Sequence, residues 1–380
     1  MYSLHGYGDM IRDTVRMDAY ARAMRQLVKP GSVVLEIGTG PGIFAILASQ
    51  LGARKVYAIE PNEVIQVARE NAVEHCCADR IEFIEGLSTS VTLPERADLI
   101  FSDLRGVLPL FGKHIPAIAD ARKRFLAPGG VLCPRKDTLW AAIVELPDLY
   151  GEIVAAWEKN ILGQKSDPAR RRIVDTYTKT SAKPEQMLTD PQLLATFDYA
   201  TIEDPDLRGK LEWKVKRSGT GHGVLLWFDG DLADGVTFSN SPWQPVTVYA
   251  CMFYPWTQPV PLLQGQSVSV EMQAKLAGND YVWRWITDVA KCGSHCDVHF
   301  DQTSLGAFIV SMDSLRKSAS THVAKLSDDG AIARRVLELM DGRATLEEIS
   351  RTLAREHPAQ FSDWRDALKS VGALSQKYSV

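Results

Sequence analysis

No run in this chain is apolar for long enough to cross a membrane, and Met1-Tyr2-Ser3-Leu4-His5 lacks the charged and apolar regions of a signal peptide. The expectation is a cytoplasmic protein with no membrane partner. Neither sign of charge dominates: the net charge is -4 over 380 residues, 24% of them charged, so no global basic field argues for a nucleic-acid partner. Cysteine is scarce, and Cys76, Cys77, Cys133, Cys251, Cys292 and Cys296 form no disulfide framework in so long a chain. Low-complexity tracts and internal repeats are absent as well. The length exceeds what one compact core accommodates and fits two domains or a little more.

What is present is concentrated in one stretch. Val33-Val34-Leu35-Glu36-Ile37 is an apolar, β-branched run that stops at Gly38-Thr39-Gly40-Pro41-Gly42. Helix formers follow from Ile43, and Lys55-Val56-Tyr57-Ala58-Ile59 reads as a second buried strand. This is a βαβ unit with a ligand-binding turn. The glycines run G-x-G-x-G, with Ile43 next, rather than the G-x-G-x-x-G of dinucleotide sites, and no Gly-Lys-Ser/Thr opens the helix to hold phosphates. The turn instead lies between two acids, Glu36 before it and Glu60 at the end of the second strand. That pair suits a ligand with an ammonium group at the turn and a ribose diol at the next strand, such as S-adenosylmethionine.

Around this unit, residues 8–28 carry a helical stripe that can lie over the pocket as a lid. A helix from Val64 to His75, a strand over 80–86 and a fourth strand, Ala97 to Phe101, follow. The fourth strand ends in Ser102-Asp103. Open α/β sheets bind ligands beyond the carboxyl ends of their strands, so Asp103 is expected at the pocket mouth; a helix-cap role is the alternative. A helix through Ala119 to Leu126 stops at Pro128-Gly129-Gly130, and Val131 opens the next strand.

The array Arg16, V-L-E-I-G-T-G-P-G-I, G-A-R-K-V-Y-A-I-E, L-P-E-R-A-D-L-I-F-S-D-x-x-G and F-L-A-P-G-G-V-L-C-P-R-K-D-T-L-W resembles the catalytic domain of the protein arginine methyltransferase family. The resemblance runs from about residue 6 to about 290. It implies S-adenosylmethionine as cofactor, with Arg16 on its carboxylate, Met10 near its sulfur, and Glu36, Gly38 and Gly40 along its methionine end. Glu60 and Pro61 would meet the ribose side, and Ser88 and Thr89 would flank the adenine. The implied fold is a Rossmann-like class I methyltransferase domain (1–137) followed by an antiparallel β-barrel (138–315). A helical dimerisation arm at 150–180 would make a homodimer. Short strands near Thr138–Val144, Gly223–Phe228, Val246–Tyr254 and Ser267–Met272, separated by turn residues, fit the barrel. Arg170-Arg171-Arg172 in the arm reads as a solvated or ion-paired face.

The acceptor end departs from the family. Asp103 stands for the first glutamate of the family's double-glutamate loop, and Gly112 falls where the second belongs. A guanidinium prefers paired carboxylates that fix its plane by parallel charge-assisted bonds. The family's Thr-His-Trp loop corresponds to Val246-Thr247-Val248, without its histidine, and the N-terminal aromatic motif is reduced to Tyr2 and Tyr7. Asp103 is the candidate to align an acceptor and take its proton, with Trp243 and Tyr249 as walls of the acceptor pocket. The expectation is a methyltransferase acting on a side-chain nitrogen of an amino acid, in a peptide or an amino-acid-like metabolite. The alternatives are a non-arginine acceptor (indole, imidazole or carbon) in natural-product assembly, and a cofactor-binding pseudoenzyme subunit.

Two features stand apart. Cys292, His295, Cys296 and His299 lack the spacings of zinc sites, so no metal is expected there and a strand with buried cysteines is. Residues 323–380 carry three helical stripes, and Thr345 with Glu348 forms a capping box. This small helical, winged-helix-like domain resembles PqqD-like peptide chaperones. Its balanced charge leaves no electrostatic footprint for DNA, and a packing or oligomerisation tail is the alternative.

Overall fold

The computed structural model describes residues 3–160, 162–290 and 298–379. Two helices, α1 (Leu4–Arg12) and α2 (Thr14–Leu27), precede the first sheet. One continuous stripe predicts one helix over 8–28, but Asp13 breaks it. Its φ/ψ are extended, and its carboxylate accepts from the Arg16 backbone N–H at 3.0 Å, capping α2.

The sheet is built by β1 (Val33–Ile37), α3 (Ile43–Gln50), β2 (Lys55–Glu60), α4 (Ile65–Glu74), β3 (Ile81–Glu85), β4 (Ala97–Ser102), α5 (His114–Phe125) and β5 (Leu126–Cys133). The strand order is β3-β2-β1-β4-β5, with every pairing parallel. The chain therefore reverses its winding direction between β1 and β4, which opens a crevice at their carboxyl ends. All five residues of β1 are buried, as a strand covered on both faces requires. β5 begins earlier than the proline-glycine turn suggests, because its register against β4 shifts between Ala97 and Leu99 and absorbs Pro128-Gly129-Gly130.

The remaining strands are antiparallel and form the barrel. β6 (Lys136–Val144) leads to the arm helices α6 (Pro147–Glu158) and α7 (Asp167–Ile173), then β7 (Thr178–Thr180), β8 (Gln192–Asp198), β9 (Leu207–Lys214), β10 (Gly219–Ala233) and β11 (Val236–Ser239). β12 (Cys251–Leu262), β13 (Ser267–Ala277), β14 (Asp280–Val289) and β15 (Val298–Thr303) complete it. One sheet runs β7-β12-β10-β6-β8 with β11 beside β10, and the other runs β15-β14-β13-β9. Alternate residues of β13 and β14 point inward, placing Trp283 and Trp285 against Tyr254 in the core. The predicted strand over Val246–Tyr254 starts only at Cys251; the residues before it form turns, with Ala250 at a left-handed φ of 50°. That irregular loop carries Tyr249.

Met1–Phe308 is one compact unit and Ile309–Val380 a second. One continuous cluster of buried residues joins the parallel sheet to the barrel within the first. The second has α8 (Met312–Ser318), α9 (Asp328–Leu339), α10 (Leu346–Glu356) and α11 (Trp364–Tyr378). Its own small core is Ile332, Val336, Ile349, Leu353, Ala367 and Val371, and the capping box of Thr345 and Glu348 opens α10. Cys292, His295 and Cys296 lie outside the described residues, whereas His299 sits on β15 against Asp288. Among the described residues no helix is long and apolar enough to cross a membrane, and no group of metal-binding side chains is assembled.

Candidate active site

A cavity of about 460 Å³ opens at the carboxyl ends of β1, β2 and β4. Its floor is the glycine turn. Gly38 has φ +79°, a backbone conformation that L side chains rarely adopt, and a Cβ there would also displace the end of the Leu104 side chain, 2.5 Å away. Gly42 caps α3 at φ +84° and leaves room for Ala68 of α4.

The acids flank this turn in different states. Glu36 is buried and accepts from the Thr39 hydroxyl at 2.6 Å. Burial disfavours its charge far more than that bond restores it, and its pKa is pushed up to about 8. Glu60 accepts from the Gly40 backbone N–H at 3.0 Å and from the Asn62 side chain at 2.6 Å. Its carboxylate thus braces the turn with one oxygen and meets a replaceable amide with the other.

Above the floor, the first turn of α2 delivers Arg16, whose guanidinium is almost wholly buried against Asp103 at 2.6 Å and also donates to the Tyr249 hydroxyl at 3.1 Å. Tyr249 in turn donates to Asp103 at 2.5 Å. Burial opposes the charge on Arg16, but Asp103 and then Tyr249 outweigh it and raise its pKa. For Tyr249, burial first and Asp103 second push the phenol's pKa up, so it stays a donor. Asp13, besides capping α2, accepts from the Val248 backbone N–H at 2.6 Å and ties the lid to the same barrel loop.

A further cation completes the network. Arg105 lines the cavity with a fully buried side chain; it reaches Asp103 at 3.3 Å and Asp137 at 2.7 Å. Phe228, Phe238, Tyr20 and Tyr249 ring its guanidinium at 5.1 to 5.9 Å from their centroids. Asp137 also accepts from Tyr199, whose hydroxyl meets His114 Nε2 at 2.8 Å. Burial, then the nearby Arg105, hold His114 neutral by lowering its pKa well below 6.5.

Met10, Arg16, Glu36, Gly38 and Gly40 all line this cavity, as do Glu60, Pro61, Asp103 and Tyr249. Ser88, Thr89 and Trp243 are not among its lining residues. Ser88 is buried in the turn after β3, where its carbonyl accepts from Arg124, and Trp243 is half exposed and packs on Trp227. Phe111 lines the cavity beside Gly112, the residue that the sequence resemblance sets against the family's second glutamate. Sequence reasoning passes over Arg105, Asp137 and Lys179, which also lines the cavity. A cation two residues after Asp103, inside the array read as S-D-x-x-G, was the available signal for the first.

A parallel sheet with its switch point at a glycine turn, an acid at the end of each of two adjacent strands and an appended antiparallel barrel define a class I methyltransferase scaffold. Residues 135–282 match the family model described as the arginine methyltransferase oligomerization subdomain, and residues 18–142 match that of the ribosomal protein L11 methyltransferase (PrmA). Each half of the chain is thus similar to a protein methyltransferase, the barrel half to the arginine methyltransferases. It is 28% identical over 281 residues to protein arginine N-methyltransferase 1 of Dictyostelium discoideum, covering 71% of this chain and 82% of that one. Against the probable protein arginine N-methyltransferase 6 of Arabidopsis thaliana it is 28% identical over 234 residues, or 59% of this chain, and it spans only 54% of that relative. The fold matches the Trypanosoma brucei PRMT1 enzyme-prozyme complex with a TM-score of 0.73 at 22% identity, covering 80% of this chain and 98% of that one.

Proposed function

We propose that this chain is an S-adenosylmethionine-dependent methyltransferase whose acceptor, carried by a peptide or an amino-acid-like metabolite, is not a guanidinium. The fit of the cofactor rests on the cavity's own residues. Glu36 is a buried acid with room for an ammonium partner, Glu60 offers the ribose hydroxyls an oxygen now bonded to Asn62, and Arg16, paired with Asp103 in the ligand-free chain, is the cation at the cavity that a carboxylate would engage. Met10 and Pro61 would pack against the ligand, with Ser88 and Thr89 toward the adenine side. The cofactor supplies an electrophilic methyl group on a sulfonium; the protein's part is to orient an acceptor lone pair against it and exclude water.

One observation carries the acceptor half: Asp103 is already paired with two buried cations, Oδ2 with Arg16 and Oδ1 with Arg105 at 3.3 Å. Arg16, Arg105 and Tyr249 all donate to it. The reading of a side-chain nitrogen as acceptor needs a carboxylate to hold a cation or take its proton, and that carboxylate is already neutralised, which favours the non-arginine reading. A homodimer through the arm, where Trp157 and Leu162 are exposed apolar residues, and a cytoplasmic location belong to the same proposal.

Calorimetry with S-adenosylhomocysteine, followed by labelled methyl transfer to arginine peptides and to cell extract, tests both halves. Cofactor binding with label in extract but not in arginine peptides is expected. Transfer to arginine would overturn the acceptor half, failure to bind S-adenosylhomocysteine the cofactor half, and binding without any transfer would establish the pseudoenzyme.

A further inference from the structure

Asp103 uses its two oxygens unequally. Oδ2 accepts from Arg16 Nε at 2.7 Å, from Arg16 Nη2 at 2.6 Å and from the Tyr249 hydroxyl, whereas Oδ1 has Arg105 Nε at 3.3 Å. A bond that long is weak, and a carboxylate oxygen has two lone pairs, so Oδ1 has room for one good donor. The Asp103 side chain is 8% exposed and lines the cavity with the apolar Leu104, Val107, Phe111 and Val248. The charges around it already balance. Arg16 and Arg105 match Asp103 and Asp137, and among the described residues the other acids lining the cavity, Glu36 and Glu60, flank the glycine turn. Lys179 adds a further cation to the lining. S-adenosylmethionine brings one net positive charge, so a cationic acceptor would meet repulsion with no acid to offset it.

We propose that the methyl acceptor is a neutral imidazole, which gives its N–H to Asp103 Oδ1 and takes the methyl group on its other nitrogen. This rests on the methyltransferase reading above. A neutral imidazole carries one donor and one localised lone pair on a flat ring, and it is the side chain that offers both, uncharged, near pH 7. Ammonium and guanidinium groups are cations with no free lone pair until they lose a proton. Indoles, phenols and alcohols must shed the proton of the reacting atom as the bond forms, and a carboxylate has no hydrogen to offer Oδ1. With imidazole, the lone pair forms the new N–C bond, the pair of the methyl–sulfur bond stays on sulfur, and no proton moves in the transfer. The methylated ring leaves as an imidazolium and loses its remaining N–H proton to water. Positive charge passes from the sulfonium to the ring, whose N–H lies on a carboxylate, so that bond is stronger in the transition state than before it. By occupying Oδ2, Arg16 and Tyr249 leave Oδ1 as the available oxygen.

Two sources present this group, a histidine side chain in a polypeptide and a small imidazole metabolite. Cell extract labelled from S-adenosylmethionine is separated into protein and small molecules, the protein is hydrolysed in acid, and the labelled compound is identified by chromatography. In parallel, a histidine peptide with blocked termini, 4-methylimidazole and N-acetylarginine amide are titrated calorimetrically at pH 8 into the full chain, with and without S-adenosylhomocysteine. Label should run as a methylhistidine from protein or as a methylated small imidazole, which separates the sources, and at least one imidazole should bind while the cation does not. Transfer should slow about tenfold per unit as pH falls below about 6.5, where the ring loses its lone pair to a proton. Asp103→Asn should slow transfer about ten- to a hundredfold. Because that variant disturbs Arg16 and Arg105, its fold is checked by near-ultraviolet circular dichroism, and the product and pH readouts on wild type stand without it. Absence of label, label on any other acceptor, a rate indifferent to pH across that range, or failure of both imidazoles to bind overturns the inference while S-adenosylhomocysteine binding still upholds the cofactor half of the reading. Imidazole binding without any binding of S-adenosylhomocysteine does the reverse.

Discussion

Replacing Glu36 with glutamine should make the ligand-free protein more stable at alkaline pH while damaging the site. Glu36 is buried, and its pKa rises from 4.5 unfolded to about 8 folded because burial penalises the carboxylate. Between those values the folded state holds a proton that the unfolded state has lost. This stabilising contribution is complete below 4.5 and disappears as pH rises through about 8. At about 1.4 kcal/mol per pH unit the whole window is worth about 5 kcal/mol, of which roughly 2 kcal/mol falls between about pH 6.5 and 8. Glutamine keeps an acceptor for the Thr39 hydroxyl and never ionises. Urea unfolding of the ligand-free protein, followed by tryptophan fluorescence at several pH values, should therefore show Glu36→Gln gaining on wild type by about that amount across the upper window. The reverse is expected with S-adenosylhomocysteine, whose ammonium favours the ionised acid: wild-type affinity should climb toward pH 8, and the variant should bind about ten- to a hundredfold more weakly with no such climb. Parallel stability curves for the two proteins would refute the reasoning, since they would mean that Glu36 titrates alike in folded and unfolded chains.

Other expectations follow from the same geometry. Tyr249→Phe removes a hydroxyl shared by Arg16 and Asp103 and should cost about 1.5–3 kcal/mol in urea unfolding, without loss of the fold. Gly40→Ala places a Cβ 2.8 Å from the Tyr7 ring at φ +52°, so S-adenosylhomocysteine binding should fall at least about tenfold by calorimetry. Trp243→Ala, outside the cavity lining, should leave that affinity unchanged. Thr345→Ala deletes the capping box of the C-terminal unit and should lower its stability by about 1 kcal/mol, read by circular dichroism, with cofactor affinity intact.

The cofactor half of the cavity is legible in the sequence because its determinants are local. Gly38, Gly40 and Gly42 follow the strand that carries Glu36, Glu60 closes the next, and the apolar runs mark both strands. The acceptor half is assembled from distant segments. Tyr249 comes from an irregular loop that aromatic and β-branched composition reads as strand, and Asp137 lies on β6 among apolar residues. Arg105 escapes notice for a different reason: a charged residue in a loop is ordinarily solvated, and the partners that make its burial tolerable, Asp137 on β6 and the rings of Phe228 and Phe238 on β10 and β11, come from distant segments. Trp243 shows the opposite error, since an aromatic residue near a pocket sequence is as readily drawn to another tryptophan at the surface. Asp13 is hidden inside a helical stripe, where periodicity has no means of marking a cap.

The buried run from Arg16 through Asp103, Arg105 and Asp137 to Tyr199 alternates donors and acceptors with few bonds to spare. Loss of Arg105, the member that bonds both acids, leaves Asp137 with Tyr199 as its only partner in the run and breaks a buried ion pair, at about 3–5 kcal/mol, a large share of ordinary marginal stability. Arg105 and Asp137 are therefore expected to change together rather than singly. Sequences that share Arg105 should share Asp137, because each is the other's buried counter-charge.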